Sequence, residues 1–239
     1  MLNKFSIILP CFNEKDNLDL LIDLIIDNLK ILNVEFEIII VDDSSFDGTA
    51  DFIKSKYKDN NKVIVINRNK ERSLGKSIGE GINLTNFNNI IVMDADFNHN
   101  PDYLKDIIKL QQNNNFDMIC CSRFKDNIQK ENNFRFYASK YYNFILKPFL
   151  SSNINDQLSG FFMIKKDSIK LLKYNHIFYG YGDFYFRLIY FMNKLNKKIY
   201  EFPIIYEERK FGQSKTKFLD IFIKYTYEAI KFRIFLWIK

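Results

Sequence analysis

Five short apolar segments, separated by stretches with helical periodicity, constrain the fold of this chain more than any other feature. They occupy residues 5–9, 36–41, 62–66, 89–93 and 116–121. Each segment is almost continuously apolar, as in strands that are covered on both faces of a sheet. Between the first two segments, apolar residues recur every three or four positions from Leu18 to Leu29, which predicts an amphipathic helix. This alternation predicts an α/β fold with a mostly parallel sheet flanked by helices.

The pattern changes after Ser122. The later segments predict an aromatic and basic stretch, a strand, a helix, another strand and a final amphipathic helix, at 134–149, 161–164, 183–195, 197–206 and 217–239. The 239 residues include only 4 Pro and 8 Gly, and no linker rich in either residue interrupts the chain. We therefore expect one domain over residues 1–216 and an appended C-terminal helix over residues 217–239.

Composition excludes several classes of protein. A chain with 47% hydrophobic and 27% charged residues is neither disordered nor collagen-like. Its 3 cysteines form no C-x-x-C pair, which argues against a disulfide framework or a zinc site and favours a reducing, cytoplasmic location. The apolar run at 5–9 is too short for a signal peptide, and no run approaches the roughly 18 residues that span a bilayer. Any membrane contact is therefore expected to be peripheral.

Acidic residues follow three of the predicted strands. Glu14 follows the first, Asp42 follows the second, and Asp94 and Asp96 follow the fourth. Ligands of open parallel sheets bind at the carboxyl ends of the strands, so these side chains are expected to converge there. Each close pair of carboxylates costs about 1 kcal/mol or more unless a cation lies between them. An Asp-x-Asp pair alone more commonly caps a turn, but the three acidic strand ends together, with Asn98 as a third ligand, predict a Mg²⁺ or Mn²⁺ site.

Several segments resemble motifs of glycosyltransferase family 2. Four of them are Pro10–Glu14 (PCFNE), Val41–Thr49 (VDDSSFDGT), Asp94–Asp96 (DAD) and Asp156–Phe162 (DQLSGFF). A fifth, Arg209–Lys215 (RKFGQSK), resembles the R-x-x-G-x-S-K pattern of the dolichyl- and polyprenyl-phosphate mannose synthases in that family. One such motif would be a weak signal, whereas five motifs in family order between residues 5 and 217 are specific.

The resemblance implies a GT-A fold and a nucleotide-sugar donor, with GDP-mannose favoured and a UDP-sugar possible. It assigns contacts with the nucleotide sugar to residues of the first half, namely Pro10, Phe12, Glu14, Asp42, Asp94 and Ala95. It assigns the divalent ion to Asp94, Asp96 and Asn98, although the synthases often have Gln at the last of these positions. In the basic loop after the third strand, we expect Arg68 to bind the diphosphate, and we interpret Lys70 and Arg72 as solvated.

The resemblance also implies a lipid acceptor, polyprenyl phosphate. It assigns phosphate binding to basic and hydroxyl residues of the second half, namely Arg123, Arg135, Ser139, Arg209 and Lys215. A phosphomonoester carries nearly two negative charges at neutral pH, so it is already a nucleophile and needs cationic positioning more than deprotonation. Arginine forks match the geometry of phosphate.

Two alternatives stay open. A sugar hydroxyl as acceptor would need a general base, for which Asp183 is the candidate. The synthases carry an acidic residue where this chain has Arg187, but both residues could equally have structural roles in a helix. A binding protein that keeps the fold without activity is the other alternative, and the intact Asp94 and Asp96 pair argues against it.

Two aromatic and basic segments suggest where a membrane would bind. Residues 134–150 interleave aromatic and basic side chains, and residues 209–239 carry eight basic residues against two acidic ones. Such helices bind anionic lipid surfaces, although a helix of this kind can also pack on its own protein core. We expect peripheral contact with the cytoplasmic face of a membrane and no nucleic-acid partner, because the basic excess lies among lipid-suited aromatic residues.

Overall fold

The computed structural model describes residues 3–126, 128, 134–212 and 218–238. Its strands are β1 (Lys4–Cys11), β2 (Glu35–Asp42), β3 (Val63–Asn67), β4 (Asn89–Val92), β5 (Met118–Ser122), β6 (Phe162–Lys165) and β7 (Ile199–Pro203). Its α-helices are α1 (Lys15–Ile31), α2 (Thr49–Lys56), α3 (Leu74–Leu84), α4 (Tyr103–Asn114), α5 (Phe134–Phe149), α6 (Lys166–Lys170), α7 (Asp183–Lys194) and α8 (Phe218–Ile238).

The strands form one sheet in the order β3-β2-β1-β4-β6-β5-β7. Among the described strands only β6 runs against the others, pairing antiparallel with both β4 and β5. The predicted α/β fold with a mostly parallel sheet is therefore confirmed. From β1 the chain builds the sheet first toward β2 and β3 on one side and then, from β4, on the other side. Such a switch point leaves a crevice at the carboxyl ends of the neighbouring strands, where ligands of open parallel sheets bind.

Helices cover both faces of the sheet, which explains the nearly continuous apolar strands. In β1, Ile7 and Leu9 pack in the cluster that includes α1 and α4, whereas Ile8 packs in the cluster that includes α3 and α7. Successive side chains of a strand point to opposite faces, so both sets need apolar residues. Each such side chain contributes about 1.5–3 kcal/mol to the free energy of unfolding when it is fully buried.

The C-terminal helix packs against the rest of the protein through one face. Tyr225, Ala229 and Phe232 of α8 are buried in a cluster with α5 and α7 residues such as Tyr142 and Phe186. One of the two alternatives left open by the sequence, packing of this helix on the protein's own core, is therefore observed. The other faces of α8 carry exposed apolar side chains. No helix in the described ranges combines the length and the hydropathy needed to cross a bilayer.

Candidate functional site

A cavity of about 830 Å³ opens at the carboxyl ends of β1 and β4. Side chains that follow these two strands line it, as predicted: Pro10, Phe12, Glu14, Asp94, Ala95 and Asp96. They meet because β1 and β4 are hydrogen-bonded neighbours whose carboxyl ends lie at the same edge of the sheet. The structure therefore brings two of the three predicted acidic strand ends into one cleft.

Arg209 joins these acids from the far end of the sequence. Its Nη2 donates to Glu14 Oε1 and to Asp96 Oδ2, both at 2.8 Å, and its Nε lies 3.3 Å from Asp96 Oδ2. Burial acts to lower the pKa of Arg209, but the hydrogen bonds and charges of Asp96 and Glu14 outweigh it and raise the pKa above the usual value. Arg209 thus joins the chain that follows β7 to the acids that follow β1 and β4.

Asp94 lies beside Asp96 and is supported by a buried histidine. The backbone N–H of Asp94 donates to His99 Nδ1 at 2.9 Å, and the His99 ring stacks on Phe161 with 4.8 Å between centroids. Burial lowers the pKa of His99 to about 4, so the ring is neutral and carries its proton on Nε2, 3.7 Å from Asp94 Oδ2. No local pattern predicts this support, although His99 lies only five residues after Asp94 in the sequence.

Excess negative charge in the cleft suits a divalent cation. Desolvation, followed by the charge of Asp96, raises the pKa of Asp94 to about 8, and Arg209 only partly opposes this. Asn98 donates its backbone N–H and its side-chain amide to Asp96 at 3.1 and 3.2 Å, which positions that carboxylate, and the predicted ligand role of Asn98 stays a prediction. In the described part of the chain, no three His, Cys, Asp or Glu side chains form a complete metal site. Asp94 and Asp96 would supply two of the oxygen ligands that a Mg²⁺-type ion prefers.

Arg209 competes for the carboxylate that such a cation needs, and this competition can be measured. We expect Arg209→Gln to raise the affinity for Mn²⁺ in the absence of nucleotide about three- to tenfold, because an ion pair of this kind contributes about 1 kcal/mol. Isothermal calorimetry would measure the affinity. Lys210→Gln is the matched control, since Lys210 lies over the Phe97 ring at 4.1 Å and the variant removes the same charge from the same loop. Equal gains in the two variants would show a general charge effect instead of competition.

An aromatic ring and a guanidinium also line the cleft. The Arg72 guanidinium carbon lies 3.4 Å from the centroid of the Phe12 ring, and Phe46 contacts the same ring edge-on at 5.6 Å. Arg72 is exposed, as the interpretation of a solvated residue requires, but it also lines the cavity, so that interpretation was incomplete. Sequence reasoning missed it because nothing local relates Arg72 to Phe12.

Asp42, at the end of β2, is fully buried and has one oxygen without a hydrogen-bond donor among the described residues. Its Oδ1 accepts from the backbone N–H of Ser45 at 2.7 Å, whereas its buried Oδ2 has no donor among the described residues. A buried acceptor without a partner is costly and fits a ligand that brings a donor. Because Asp42 is fully buried and is not among the residues that line the cavity, its predicted contact with the nucleotide sugar stays a prediction.

The expectation for Arg68 needs correction. Arg68 is buried, contacts Asp43 through Nη1, and lies 3.0 Å from Ser77 Oγ and 3.3 Å from Glu80 Oε2. It is not among the residues that line the described cleft. Instead, Arg68 holds Asp43, whose Oδ2 accepts from the Ser73 N–H at 2.7 Å at the start of α3. Its role in this structure is to position the first turn of α3.

Gly75 explains how α3 reaches the cleft. A Cβ at this position would lie 2.6 Å from the Tyr179 carbonyl oxygen, and the Gly75 N–H donates to the Gly180 carbonyl at 3.2 Å. The helix start therefore packs directly on the segment 179–182, which lines the same cavity. Residues at the start of α3, such as Leu74 and Lys76, line the cavity as well.

Three other predicted phosphate-binding residues, Arg123, Arg135 and Ser139, are not among the residues that line this cavity. Arg123 makes a two-fold contact with the buried Asp156, with nitrogen–oxygen distances of 2.7 and 2.9 Å, and it packs over the Tyr206 ring. Arg135 is exposed on α5, and Ser139 is half-buried one turn later. Lys215 lies outside the described residues. Of the five assigned phosphate ligands, the structure thus places Arg209 in the cleft and shows a structural partner for Arg123.

Asp183 does not face the cleft. Its carboxylate is buried 2.6 Å from Arg187 Nη1 and accepts from the Tyr181 N–H at 2.7 Å. Arg187 also donates to the carbonyls of Tyr179 at 2.6 Å and Ile177 at 3.1 Å. This geometry favours the structural role for both residues and corrects the view of Asp183 as an accessible general base.

Comparison with known proteins agrees with this architecture. The chain matches the family Glycosyl transferase family 2 over residues 6–172. It is 31% identical over 237 residues to a dolichol-phosphate mannosyltransferase of Pyrococcus furiosus, covering 95% of this chain and 64% of that protein. It is 25% identical over 221 residues to an undecaprenyl-phosphate 4-deoxy-4-formamido-L-arabinose transferase of Photorhabdus laumondii, covering 92% of this chain and 65% of that protein. The chain thus spans just under two thirds of the length of these relatives.

Solved structures of low identity show the same fold. Glucosyl-3-phosphoglycerate synthase of Mycobacterium tuberculosis, in complex with Mn²⁺, UDP and glucosyl-3-phosphoglycerate, aligns with a TM-score of 0.67 at 16% identity, covering 96% of this chain and 78% of that one. The same synthase with Mg²⁺ and UDP aligns with a TM-score of 0.65 at 16% identity and the same coverage of both chains. Because the family match spans more than half of the sequence and the sheet agrees with these structures, the chain belongs to glycosyltransferase family 2 and has the GT-A fold.

Proposed function

We propose that the protein transfers a sugar, with inversion, from a nucleotide-sugar donor to the phosphate of a polyprenyl-phosphate lipid, and that the donor is GDP-mannose. The observation that carries the proposal is the contact of Arg209 with Glu14 and Asp96. This contact joins the R-x-x-G-x-S-K segment, typical of the lipid-phosphate enzymes, to the acids of the donor half. The names of the relatives, which refer to dolichol and undecaprenyl phosphates, support the class of acceptor.

The chemistry needs few groups. An oxygen of the acceptor phosphate forms a bond to the anomeric carbon, the bond from that carbon to the donor diphosphate breaks, and nucleoside diphosphate leaves. The attacking phosphate is already ionised, so the absence of an accessible carboxylate at Asp183 is no obstacle. A divalent ion held by Asp94 and Asp96, when bound, would stabilise the charge of the departing diphosphate. Arg209 can orient phosphate oxygens through its guanidinium once it leaves Asp96.

The donor and the acceptor can be tested together. Labelled GDP-mannose and labelled UDP-glucose are offered separately with polyprenyl phosphate and either Mg²⁺ or Mn²⁺, and the label is followed into the organic phase. We expect label from GDP-mannose to enter that phase only in the presence of the metal. Label from UDP-glucose alone would correct the donor, and label on an added saccharide but not on lipid would contradict the proposed acceptor.

We also propose that α5 and α8 contact the cytoplasmic surface of an anionic membrane. Large apolar side chains of both helices are exposed, among them Phe144 at 70%, Ile223 at 66% and Trp237 at 86% of full exposure. The helices are joined, since the rings of Tyr142 and Phe222 lie 4.6 Å apart. The basic excess of residues 209–239 suits an anionic surface.

Trp237 provides a natural probe of this contact because it is the single tryptophan. We expect its emission to shift to shorter wavelength when vesicles of phosphatidylcholine and phosphatidylglycerol are added. The double variant Phe144→Ser/Ile223→Ser should weaken vesicle binding about tenfold or more, since each large apolar side chain contributes about 1.5–3 kcal/mol when buried. Leu20→Ser, at an exposed apolar residue of α1, is the control and should bind normally. An unchanged emission spectrum would contradict membrane contact at α8.

A further inference from the structure

The C-terminal helix forms part of the wall of the cleft. Lys224 and Tyr225 of α8 line the cavity together with Tyr181 and Gly182 of the preceding segment. The Tyr225 hydroxyl occupies the space that a Cβ on Gly182 would fill. Burial, with the charges of Tyr181, Asp183 and Asp94 adding, raises the pKa of Tyr225 well above its usual value. Tyr225 is therefore packed tightly against Gly182 in the cleft wall.

Buried contacts fix the position of α8 against this wall. Arg187, which holds the carbonyl groups of Ile177 and Tyr179, also lies 3.8 Å from Glu228 Oε2 of α8. Tyr225 and Ala229 pack in the cluster beneath the helix. Lys224, the neighbour of a buried residue in this fixed helix, is consequently held at the cleft and is not simply a residue of the outer surface.

Lys224 differs from the other basic residues that line the cavity in its contacts with the described part of the chain. Arg209 is engaged by Glu14 and Asp96, Arg72 stacks on Phe12, and Lys76 lies 3.9 Å from Glu71. Lys224 is exposed and makes no hydrogen bond or ion pair with the part of the chain that the structure describes. An ammonium group without an acidic partner beside such a cleft is suited to bind an anion that enters it.

We propose that Lys224 binds the phosphate of a phosphomonoester acceptor, which makes α8 part of the acceptor site. The inference rests on the proposed function, because it takes the incoming anion to be the acceptor and not the donor. Lys224 lies beyond residues 6–172, the segment that matches the family, and beyond the motifs that carry the resemblance. Its contribution comes from the packing of α8, which brings the helix back to the sheet edge.

The test separates acceptor binding from membrane binding. Transfer to farnesyl phosphate in detergent micelles removes the bilayer from the assay. We expect Lys224→Gln to raise the KM for farnesyl phosphate about tenfold, the effect of one lost charge-assisted hydrogen bond, and to leave the KM for the donor unchanged. Lys224→Arg should restore most of the loss. Lys231→Gln is the matched control on the same helix, because Lys231 lies 3.5 Å from Glu228 and is not among the residues lining the cavity.

Three results would overturn the inference. An unchanged KM in micelles with weaker vesicle binding, followed by Trp237 emission, would assign Lys224 to lipid headgroups. A rise in the donor KM of the same size would assign it to the donor diphosphate. If the wild-type protein transfers no sugar to any polyprenyl phosphate, the proposed function fails on that result alone. Calorimetry of farnesyl phosphate binding then decides the inference, and equal binding by wild type and Lys224→Gln would reject it.

Discussion

Asp96→Asn is expected to lower the rate of sugar transfer at least about a hundredfold, the usual effect of losing an electrostatic group at the reacting centre. The amide keeps the shape of the carboxylate but loses the charge that holds Arg209 and, by the resemblance, the divalent ion. Two contacts to Arg209, at 2.8 and 3.3 Å, depend on that charge. The initial rate of label transfer at saturating Mn²⁺ would measure the loss.

A folding control accompanies this variant. Asp59→Asn removes the same charge from an exposed turn and should leave both the rate and the thermal midpoint unchanged. Asp96→Asn should also keep its thermal midpoint, because Asp96 lies at the cleft and not in either apolar cluster of the sheet. A variant that stays within about threefold of the wild-type rate would remove Asp96 from the reaction, since the expected effect of such a group is about a hundredfold or more.

Arg187→Met is expected to lower the free energy of unfolding by about 3–5 kcal/mol, the usual cost of removing one partner of a buried ion pair. The variant would leave the buried Asp183 carboxylate without its cation and the carbonyls of Ile177 and Tyr179 without their donors. Urea unfolding followed by circular dichroism would measure the change. The variant should also disturb the shape of the cleft, because Arg187 holds the Tyr179 carbonyl and the segment 179–182 lines the cleft.

The double variant Asp183→Asn/Arg187→Met distinguishes a lost charge partner from a lost packing contact. It should recover part of the stability, because no buried charge is left unpaired. Lys170→Met is the control for an exposed pair, since Lys170 and Asp167 are more than half exposed and such pairs contribute about 0–1 kcal/mol. A double variant that is no more stable than Arg187→Met would show that the methionine side chain itself disrupts the packing.

Local patterns predicted the elements well because they depend on neighbouring residues. The helix predicted over 183–195 is observed as Asp183–Lys194, whereas the strand predicted over 197–206 ends at Pro203. Beyond that strand, Tyr206 instead forms an isolated bridge with His99. That pairing joins distant parts of the chain, so the apolar pattern of 197–206 could not reveal where the strand ends.

The assignment of basic residues was less successful, for the same reason. Arg68, Arg123 and Arg209 are each assigned to phosphate binding from their place in the sequence. In the structure, Arg68 and Arg123 pair with the buried carboxylates of Asp43 and Asp156, and of these three arginines only Arg209 contacts an acid of the cleft. These partners are separated by 25, 33 and 113 residues respectively. A basic residue near a motif therefore does not show which acid neutralises it.

The amino-acid sequence alone determined the fold class, the sheet edge that carries the acids and the position of Glu14, Asp94 and Asp96, because strand periodicity and the rule for parallel sheets are local and general. Tertiary structure decided that Arg209 pairs with Asp96 and that Asp183 pairs with Arg187 in the interior. It also decided that Lys224 of α8 lines the cleft. Electrostatic pairing acts through space over a few ångströms, and only the folded chain brings such distant residues within that range.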